Sequence, residues 1–324
     1  MKTAFLFPGQ GAQYPGMGRD FYDKYPEAKA VFEQTAAALG EEFLDVIFSG
    51  PEEKLQQTEF TQPAILTVSV SIFRTLENKG INPSGFAGLS LGEYSALVAA
   101  GSLSFEEALP LVQKRGIYMQ GAVPAGEGSM AAIMGVDHKK IESICLEAGR
   151  KGVVAPANYN CPGQIVISGH TIAVNEAVEL AREAGAKRIT ALKVSAPFHC
   201  SLLHSVEDKL ACELSRINVK RPIAPVAFNV SAGFTENPET IRANLVKQVS
   251  SPILWEHSVR ALIEAGIEQF IGIGPGNSLS RLMKRIAPEL KTYSVENVED
   301  LEGLTSLLQR NQHKECLIDE YRSN

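Results

Sequence analysis

A serine with a glycine two residues away on either side is the first feature of this 324-residue chain that could do chemistry. The segment reads Gly88-Leu89-Ser90-Leu91-Gly92, and it joins an apolar, strand-like stretch to a helix-like one. The glycines allow a sharp turn, so the hydroxyl projects from the bend while backbone amides of the new helix face the same point. Such amides can stabilise an oxyanion. The pattern predicts Ser90 as a nucleophile in acyl transfer, and the alternative is a helix N-cap serine in an ordinary loop.

A serine nucleophile needs a base that accepts its proton. His199 and His204 are the two candidates among six histidines. His199 follows Phe198 where two parts of the chain are predicted to meet, which is a typical cleft position. On a helix the two histidines would lie about 140° apart, so we expect no shared metal site. The other four suit exposed or capping positions: His138, His170, His257 and His313.

Cys200 is a rival nucleophile because it is adjacent to His199. Neighbours in sequence usually point their side chains apart, so we expect Cys200 to be a buried thiol. The five cysteines are scattered and form no CxxC pair, as in proteins that keep reduced thiols. We therefore expect no disulfide, and no His/Asp/Glu spacing suggests a metal site.

The composition excludes several classes of protein. A formal net charge of −6 disfavours a nucleic-acid partner, which needs a concentrated basic field. No run approaches the roughly 18 apolar residues of a membrane span, and Pro8 ends an N-terminal apolar run that is too short for a signal peptide. The glycine-rich segments lack GxGxxG and GxxxxGK[ST], so no nucleotide cofactor is expected. These features predict a cytoplasmic protein without a membrane or nucleic-acid partner.

The elements around these residues predict an α/β fold. Alternating strands and helices from Thr3 onward are typical of a large α/β-hydrolase-like domain with a central, mostly parallel sheet. Between Gly128 and Ser195 the predicted order changes to β-α-β-β-α-β, ending in a strand over Lys187–Ser195; this order is the ferredoxin-like signature. We therefore expect a large domain formed by residues 1–126 and 197–324, with residues 127–196 as an inserted ferredoxin-like subdomain.

Several motifs together closely resemble those of malonyl-CoA:acyl carrier protein transacylases, which include the fatty-acid synthesis enzyme and the free-standing acyltransferases of polyketide assembly. The resemblance runs from Thr3 to about Val298, with the motifs in the expected order. They are the segments 7–13 (FPGQGAQ), 88–97 (GLSLGEYSAL), 113–115 (QKR), 158–164 (NYNCPGQ) and 198–200 (FHC).

The resemblance implies a role for individual residues. Ser90 would carry the malonyl ester and His199 would act as general base and acid. The backbone carbonyl of Gln248 would orient His199, and Gln248 is also expected among the substrate-binding residues. The backbone amides of Gln10 and Leu91 would form the oxyanion site.

Arg115 would bind the free malonyl carboxylate with two parallel hydrogen bonds, which acetyl cannot accept. Asn160 would line the same pocket, and Phe198 would crowd the α-carbon and so favour malonyl over methylmalonyl. Leu89 departs from the histidine that many members have at this position, which puts the acyl preference in question.

The implied reaction transfers malonyl from coenzyme A to the phosphopantetheine thiol of an acyl carrier protein by a ping-pong mechanism. Coenzyme A enters as the substrate thioester and no other cofactor is expected. The protein is expected to be a monomer. Because carrier proteins are acidic, we expect a local basic patch on its surface to bind the carrier protein. The candidate patches are Arg281, Lys284 and Arg285 on one helix, and Lys187 with Arg188; the alternative for each cluster is an ordinary solvated face. The alternatives are an acyl hydrolase that clears carrier proteins and a non-catalytic docking module.

Overall fold

The computed structural model describes residues 1–192, 194 and 196–323, with side chains described up to residue 310. The strands of this part of the chain are β1 (Thr3–Phe7), β2 (Gly85–Gly88), β3 (Gly128–Met134), β4 (Val154–Cys161), β5 (Gln164–His170), β6 (Arg188–Ala191), β7 (Val226–Ala227), β8 (Gln269–Ile273) and β9 (Lys291–Val295). The predicted strand over residues 187–195 is therefore shorter than expected, and Lys193 and Ser195 lie outside the described residues.

The helices pack around these strands. They are α1 (Arg19–Lys24), α2 (Pro26–Leu39), α3 (Glu41–Ser49), α4 (Glu52–Leu55), α5 (Thr58–Asn78), α6 (Gly92–Ala99), α7 (Phe105–Gln120), α8 (His138–Ala148), α9 (Thr171–Glu183), α10 (His204–Leu214), α11 (Pro238–Gln248), α12 (Trp255–Glu264), α13 (Ser278–Ile286) and α14 (Val298–Ser323). Within the described ranges, we find no helix with the length and apolar character that crossing a membrane requires.

The larger sheet has the order β7-β2-β1-β8-β9 in the described chain, and each neighbouring pair is parallel. β1, β2 and β8 are buried along their whole length, because helices cover both faces of a parallel sheet. The rings of Phe5, Phe73 and Phe86 meet edge to face, with centroids 6.2 to 6.4 Å apart. This packing supports the strands that end at the site described below.

The smaller sheet has the order β4-β5-β3-β6, with antiparallel pairing throughout the described strands. Helices α8 and α9 pack against it, so β3 to β6 follow the predicted β-α-β-β-α-β order. The two sheets confirm the predicted α/β fold with a central parallel sheet and a second, ferredoxin-like one. The boundaries at residues 126/127 and 196/197 stay a prediction.

Helix α7 approaches α5 closely and carries Arg115 toward the sheet. Ser104 caps α7 by accepting a hydrogen bond from the Glu107 amide at 3.2 Å. A Cβ on Gly116 would lie 2.6 Å from the backbone oxygen of Thr58 at the start of α5. Glycine at position 116 therefore permits the approach that buries the neighbouring arginine.

Candidate active site

Ser90 lies in the turn between β2 and α6, at the carboxyl edge of the parallel sheet. Its φ is 54°, a left-handed conformation that non-glycine residues rarely adopt. A Cβ on Gly88 would lie 1.9 Å from the Gly92 backbone, and one on Gly92 would lie 2.1 Å from the Phe7 oxygen. Any side chain at these two positions would clash with the backbone, so the turn requires glycine at both.

His199 contacts the Ser90 hydroxyl directly. Its Nε2 is 2.7 Å from Ser90 Oγ, and its Nδ1 is 2.8 Å from the backbone oxygen of Gln248. Because a carbonyl only accepts, Nδ1 carries the proton and Nε2 is left as the acceptor for the serine proton. The backbone oxygen of Gln248 thus lies where the family resemblance places the group that orients the histidine.

The imidazole of His199 is neutral at physiological pH. Burial, together with the smaller effect of the nearby Arg115 cation, lowers the pKa of His199 to about 3, against the opposing effect of the Gln248 carbonyl. The side chain is 4% exposed. A neutral ring with a free Nε2 can accept a proton, so the base is in its reactive form well below the ordinary pKa of histidine.

The pH dependence of serine acylation should reflect this lowered pKa. As pH falls, a base is lost only when it becomes protonated, so the rate should persist through about pH 6.5 and decline only as the pH approaches the lowered value of about 3. The measurement is the initial rate of malonyl incorporation at low malonyl-CoA concentration, followed by quenched mass spectrometry. An inflection at the ordinary histidine pKa would contradict this assignment.

The predicted oxyanion donors, Gln10 and Leu91, both line the cavity that contains Ser90. Leu91 is the first residue of the turn with helical angles (φ −53°, ψ −37°), so its amide belongs to the N-terminus of α6. A Cβ on Gly9 would lie 2.4 Å from the Leu89 oxygen, and glycine there lets the loop after β1 approach the Ser90 turn. The use of these two amides as oxyanion donors stays a prediction.

Arg115 is 1% exposed and its guanidinium faces Ser90. Its Nη1 donates to Gln62 Oε1 at 2.7 Å, and its Nη2 donates to Gln248 Oε1 at 2.8 Å and to Ser90 Oγ at 3.2 Å. Among the described residues, no carboxylate forms an ion pair with it, and its Nε has no partner. All the acceptors of this buried cation are thus neutral, which leaves it able to bind an anion.

The nearest buried acid, Glu93, does not remove this positive charge at neutral pH. Burial raises the pKa of Glu93 to about 8, although hydrogen bonds from Asn229 and Gln248 and the charge of Arg115 oppose the rise. Glu93 is therefore mostly protonated near pH 7, and the site keeps the net charge of the guanidinium.

Ser90, His199 and Arg115 share a cavity of about 330 Å³. Phe198 is 6% exposed and lines this cavity next to the histidine. Its expected exclusion of a branched acyl group stays a prediction. Leu89 lines the cavity too, so an apolar side chain stands beside the nucleophile.

Asn160 does not line this cavity, contrary to our expectation. It lies in an adjoining groove of about 510 Å³, while Asn158 borders both spaces. The pairing of β4 with β5 is irregular between Tyr159 and Cys161, and Asn160 lies in this interval, beyond Asn158 along the strand.

Gln248 was expected to bind substrate, but its side chain does not line the cavity. Its side chain is fully buried and contacts Arg115 and the backbone oxygen of Ser90, the latter at 3.0 Å, rather than lining the cavity. Gln62, Glu93 and Asn229 also surround the reacting groups, and sequence reasoning did not single them out. Glu93 lies inside the quoted 88–97 motif, while the other two carry no local signal.

The rival residues lie elsewhere or are unreactive. Burial raises the pKa of the Cys200 thiol, whose sulfur is 3.2 Å from the Pro197 oxygen, so it is the expected buried thiol. His204 is exposed and pairs with Glu207 at 2.8 Å. His138 bonds the Cys161 backbone oxygen in β4, and His170 accepts a hydrogen bond from the Val153 amide just before β4. The side chain of His313 lies outside the described ones.

The basic residues proposed for partner docking fall into two sets. Arg188, Arg281 and Arg285 line the adjoining groove, and Arg285 bonds Gln164 Oε1 at 3.0 Å. Lys187 and Lys284 are exposed but do not line it. The groove therefore joins parts of both predicted patches.

Comparison with known proteins agrees with this geometry. The sequence pattern of the acyl transferase domain family matches residues 4–321. The malonyl CoA-acyl carrier protein transacylase of Bacillus subtilis is 45% identical over 302 residues, covering 93% of this chain and 95% of that protein.

Solved structures give the same result. The malonyl CoA-acyl carrier protein transacylase of Clostridium perfringens superposes with a TM-score of 0.94 at 41% identity, covering 97% of this chain and 99% of the other. A malonyl-transacylase in complex with a type II PKS acyl-carrier protein has a TM-score of 0.91 at 42% identity, covering 93% and 98%. The chain therefore belongs to the acyl transferase domain family, among its malonyl CoA-acyl carrier protein transacylases.

Proposed function

We propose that this enzyme transfers malonyl groups from coenzyme A to the phosphopantetheine thiol of an acyl carrier protein, in fatty-acid or polyketide biosynthesis. The observation that carries the proposal is the buried Arg115 guanidinium, 3.2 Å from the Ser90 hydroxyl and bonded only to neutral acceptors among the described side chains. In a malonyl ester of Ser90 the free carboxylate would be three bonds from Oγ, within reach of this cation. Two parallel charged hydrogen bonds would distinguish malonyl from acetyl.

The reaction proceeds in two similar halves. Ser90 Oγ attacks the thioester carbonyl carbon while its proton passes to His199 Nε2, and the amides of Gln10 and Leu91 stabilise the oxyanion. The carbon–sulfur bond then breaks, and the leaving thiolate of coenzyme A takes the proton back from His199. In the second half the carrier thiol gives its proton to His199 and attacks the ester carbonyl carbon. The bond between that carbon and Ser90 Oγ then breaks, and His199 returns the proton to Ser90 Oγ, which leaves malonyl on the carrier thiol and restores the free serine.

This chemistry uses no resident cofactor, since both sulfur groups enter with the substrates. The basic groove formed by Arg188, Arg281 and Arg285 adjoins the reacting residues and suits an acidic carrier protein. The free thiols of the described cysteines, Cys145, Cys161, Cys200 and Cys212, support a cytoplasmic location.

Comparing transfer with hydrolysis tests the function. Purified enzyme is incubated with labelled malonyl-CoA or acetyl-CoA, with and without holo acyl carrier protein. We expect rapid, malonyl-selective appearance of label on the carrier and slow release of free acid. Rapid release to water with indifference to the acyl group would instead indicate an acyl hydrolase.

A docking module without catalysis is the remaining alternative. It predicts no mass increase on the protein after incubation with malonyl-CoA, whereas the transferase predicts a malonyl adduct on Ser90. The short Ser90–His199 contact favours the transferase, because a module that only docks has no need of an aligned base.

A further inference from the structure

Asn229 lies beside the Ser90 turn because of the strand register. β7 pairs with β2 in parallel, with Ala227 opposite Ala87. Leu89 lies two residues after Ala87, and Asn229 lies two residues after Ala227. Both therefore lie at the carboxyl edge of the sheet, where the nucleophile turn begins. Asn229 is fully buried, so its amide group must bond to whatever surrounds it.

The side chain of Asn229 bridges the two sides of the turn. Its Oδ1 accepts the Ser90 backbone N–H at 2.7 Å, and its Nδ2 donates to the Gly88 oxygen at 2.7 Å. Gln248 Nε2 lies 3.3 Å from the same Oδ1. Where residues 88–90 leave the sheet, their backbone has no neighbouring strand on this side within the described chain. The side-chain amide of Asn229 supplies the hydrogen bonds that such a strand would make.

Glu93 holds Asn229 in turn. The Asn229 backbone N–H donates to Glu93 Oε2 at 2.6 Å, and the Asn229 oxygen accepts from the Leu254 amide at 2.9 Å. Glu93 lies on α6, one turn after the nucleophile, so the contacts link both ends of the turn to the same asparagine. A buried network of hydrogen bonds of this kind restricts the positions its members can adopt.

We propose that Asn229 is a positioning residue that holds Ser90 in its left-handed conformation, with Oγ aligned to His199 and the Leu91 amide aligned to the oxyanion. The φ of 54° at Ser90 is unfavourable for a residue with a Cβ, and it persists only when the surroundings impose it. Asn229 supplies a donor and an acceptor at this point. The inference rests on the proposed role of Ser90 as nucleophile.

The experiment compares Asn229→Ala with Ser258→Ala. Ser258 is equally buried and donates to the oxygen of Phe228, the residue before Asn229, so its loss disturbs the same segment without touching the turn. We expect Asn229→Ala to lower kcat for Ser90 malonylation about 100-fold, with KM and the malonyl-to-acetyl ratio nearly unchanged. Ser258→Ala should retain wild-type kcat. Equal kcat in the two variants would overturn the proposal.

Asn229→Asp gives a second test, the pH dependence of the rate, which would not change if Asn229 had only a structural role. The carboxylate keeps the acceptor for the Ser90 N–H but repels the Gly88 oxygen, and protonation restores a donor there. Burial raises the pKa of such an acid, so the rate relative to wild type should rise as pH falls from about 8 to about 6. A ratio independent of pH would overturn the proposal, even if Asn229→Ala failed to fold.

Phenylmethylsulfonyl fluoride separates this inference from the proposed function. It reacts with an activated serine whatever the natural acyl group is. If wild-type Ser90 reacts with it but not with malonyl-CoA, the proposed function fails while the positioning role remains testable by the same variants. Reaction of Asn229→Ala with the reagent at the wild-type rate would overturn the inference alone.

Discussion

Replacing Ser90 with alanine is expected to abolish the malonyl adduct and to lower malonyl transfer by about 10⁶-fold, the order found for catalytic serines that act with a histidine. The hydroxyl is the atom that carries the acyl group between the two half-reactions. Neither His199 nor the buried Cys200 can replace it, because the first is held as the base and burial raises the pKa of the second. Intact-protein mass spectrometry after incubation with malonyl-CoA measures the adduct directly.

Ser95→Ala is the matched control for this variant. Ser95 is a buried serine on α6, the helix that follows the Ser90 turn, and its hydroxyl has no hydrogen-bond partner among the described residues, so its loss should leave labelling unchanged. Peptide mapping then places the wild-type adduct. A malonyl group that persisted in Ser90→Ala, for example on Cys200, would show that the nucleophile has been misassigned.

Replacing Arg115 with alanine is expected to reduce the ratio of malonyl to acetyl loading by about 10²–10³-fold, which is the usual loss when one partner of a buried charge pair is removed. The malonyl carboxylate would then enter a buried space without a cation. Acetyl has no such charge and should lose much less. The measurement is kcat/KM for the two coenzyme A thioesters under the same conditions.

Acetyl loading serves as an internal control for folding in this experiment. Arg115→Lys should recover only part of the ratio, because lysine retains the charge without the two parallel donors. Lys114→Ala, at the preceding position of α7, removes a cation that instead bonds Glu213 at 2.7 Å, and its ratio should match wild type. Equal losses of malonyl and acetyl loading in Arg115→Ala would refute the carboxylate role.

Local sequence was enough to predict the tight glycine turn at Ser90 and the fold class. Gly88, Ser90 and Gly92 form a pattern within five residues, and a turn this tight depends mainly on the conformational freedom of its own glycines. The order of strands and helices in residues 128–191 likewise follows from local periodicity. Both predictions concern contacts between residues close in sequence.

The choice of His199 over His204 shows where local information ends. From the residues alone both histidines were open, and the family resemblance decided between them. In the folded chain His199 bonds a serine 109 residues away, whereas His204 lies on the surface beside Glu207. Burial, which decides which of the two is a neutral base, is a property of the packed chain.

The sequence by itself determined the nucleophile turn and the α/β architecture, because these depend on glycine placement and on apolar periodicity within short segments. Only the tertiary structure decided the surroundings of the reacting groups. Arg115 meets Gln248 across 133 residues and Ser90 meets Asn229 across 139, and Asn160 lies in the adjoining groove rather than beside Arg115. Such contacts arise where the carboxyl ends of β1, β2 and β7 come together, and no local pattern records which side chains meet there.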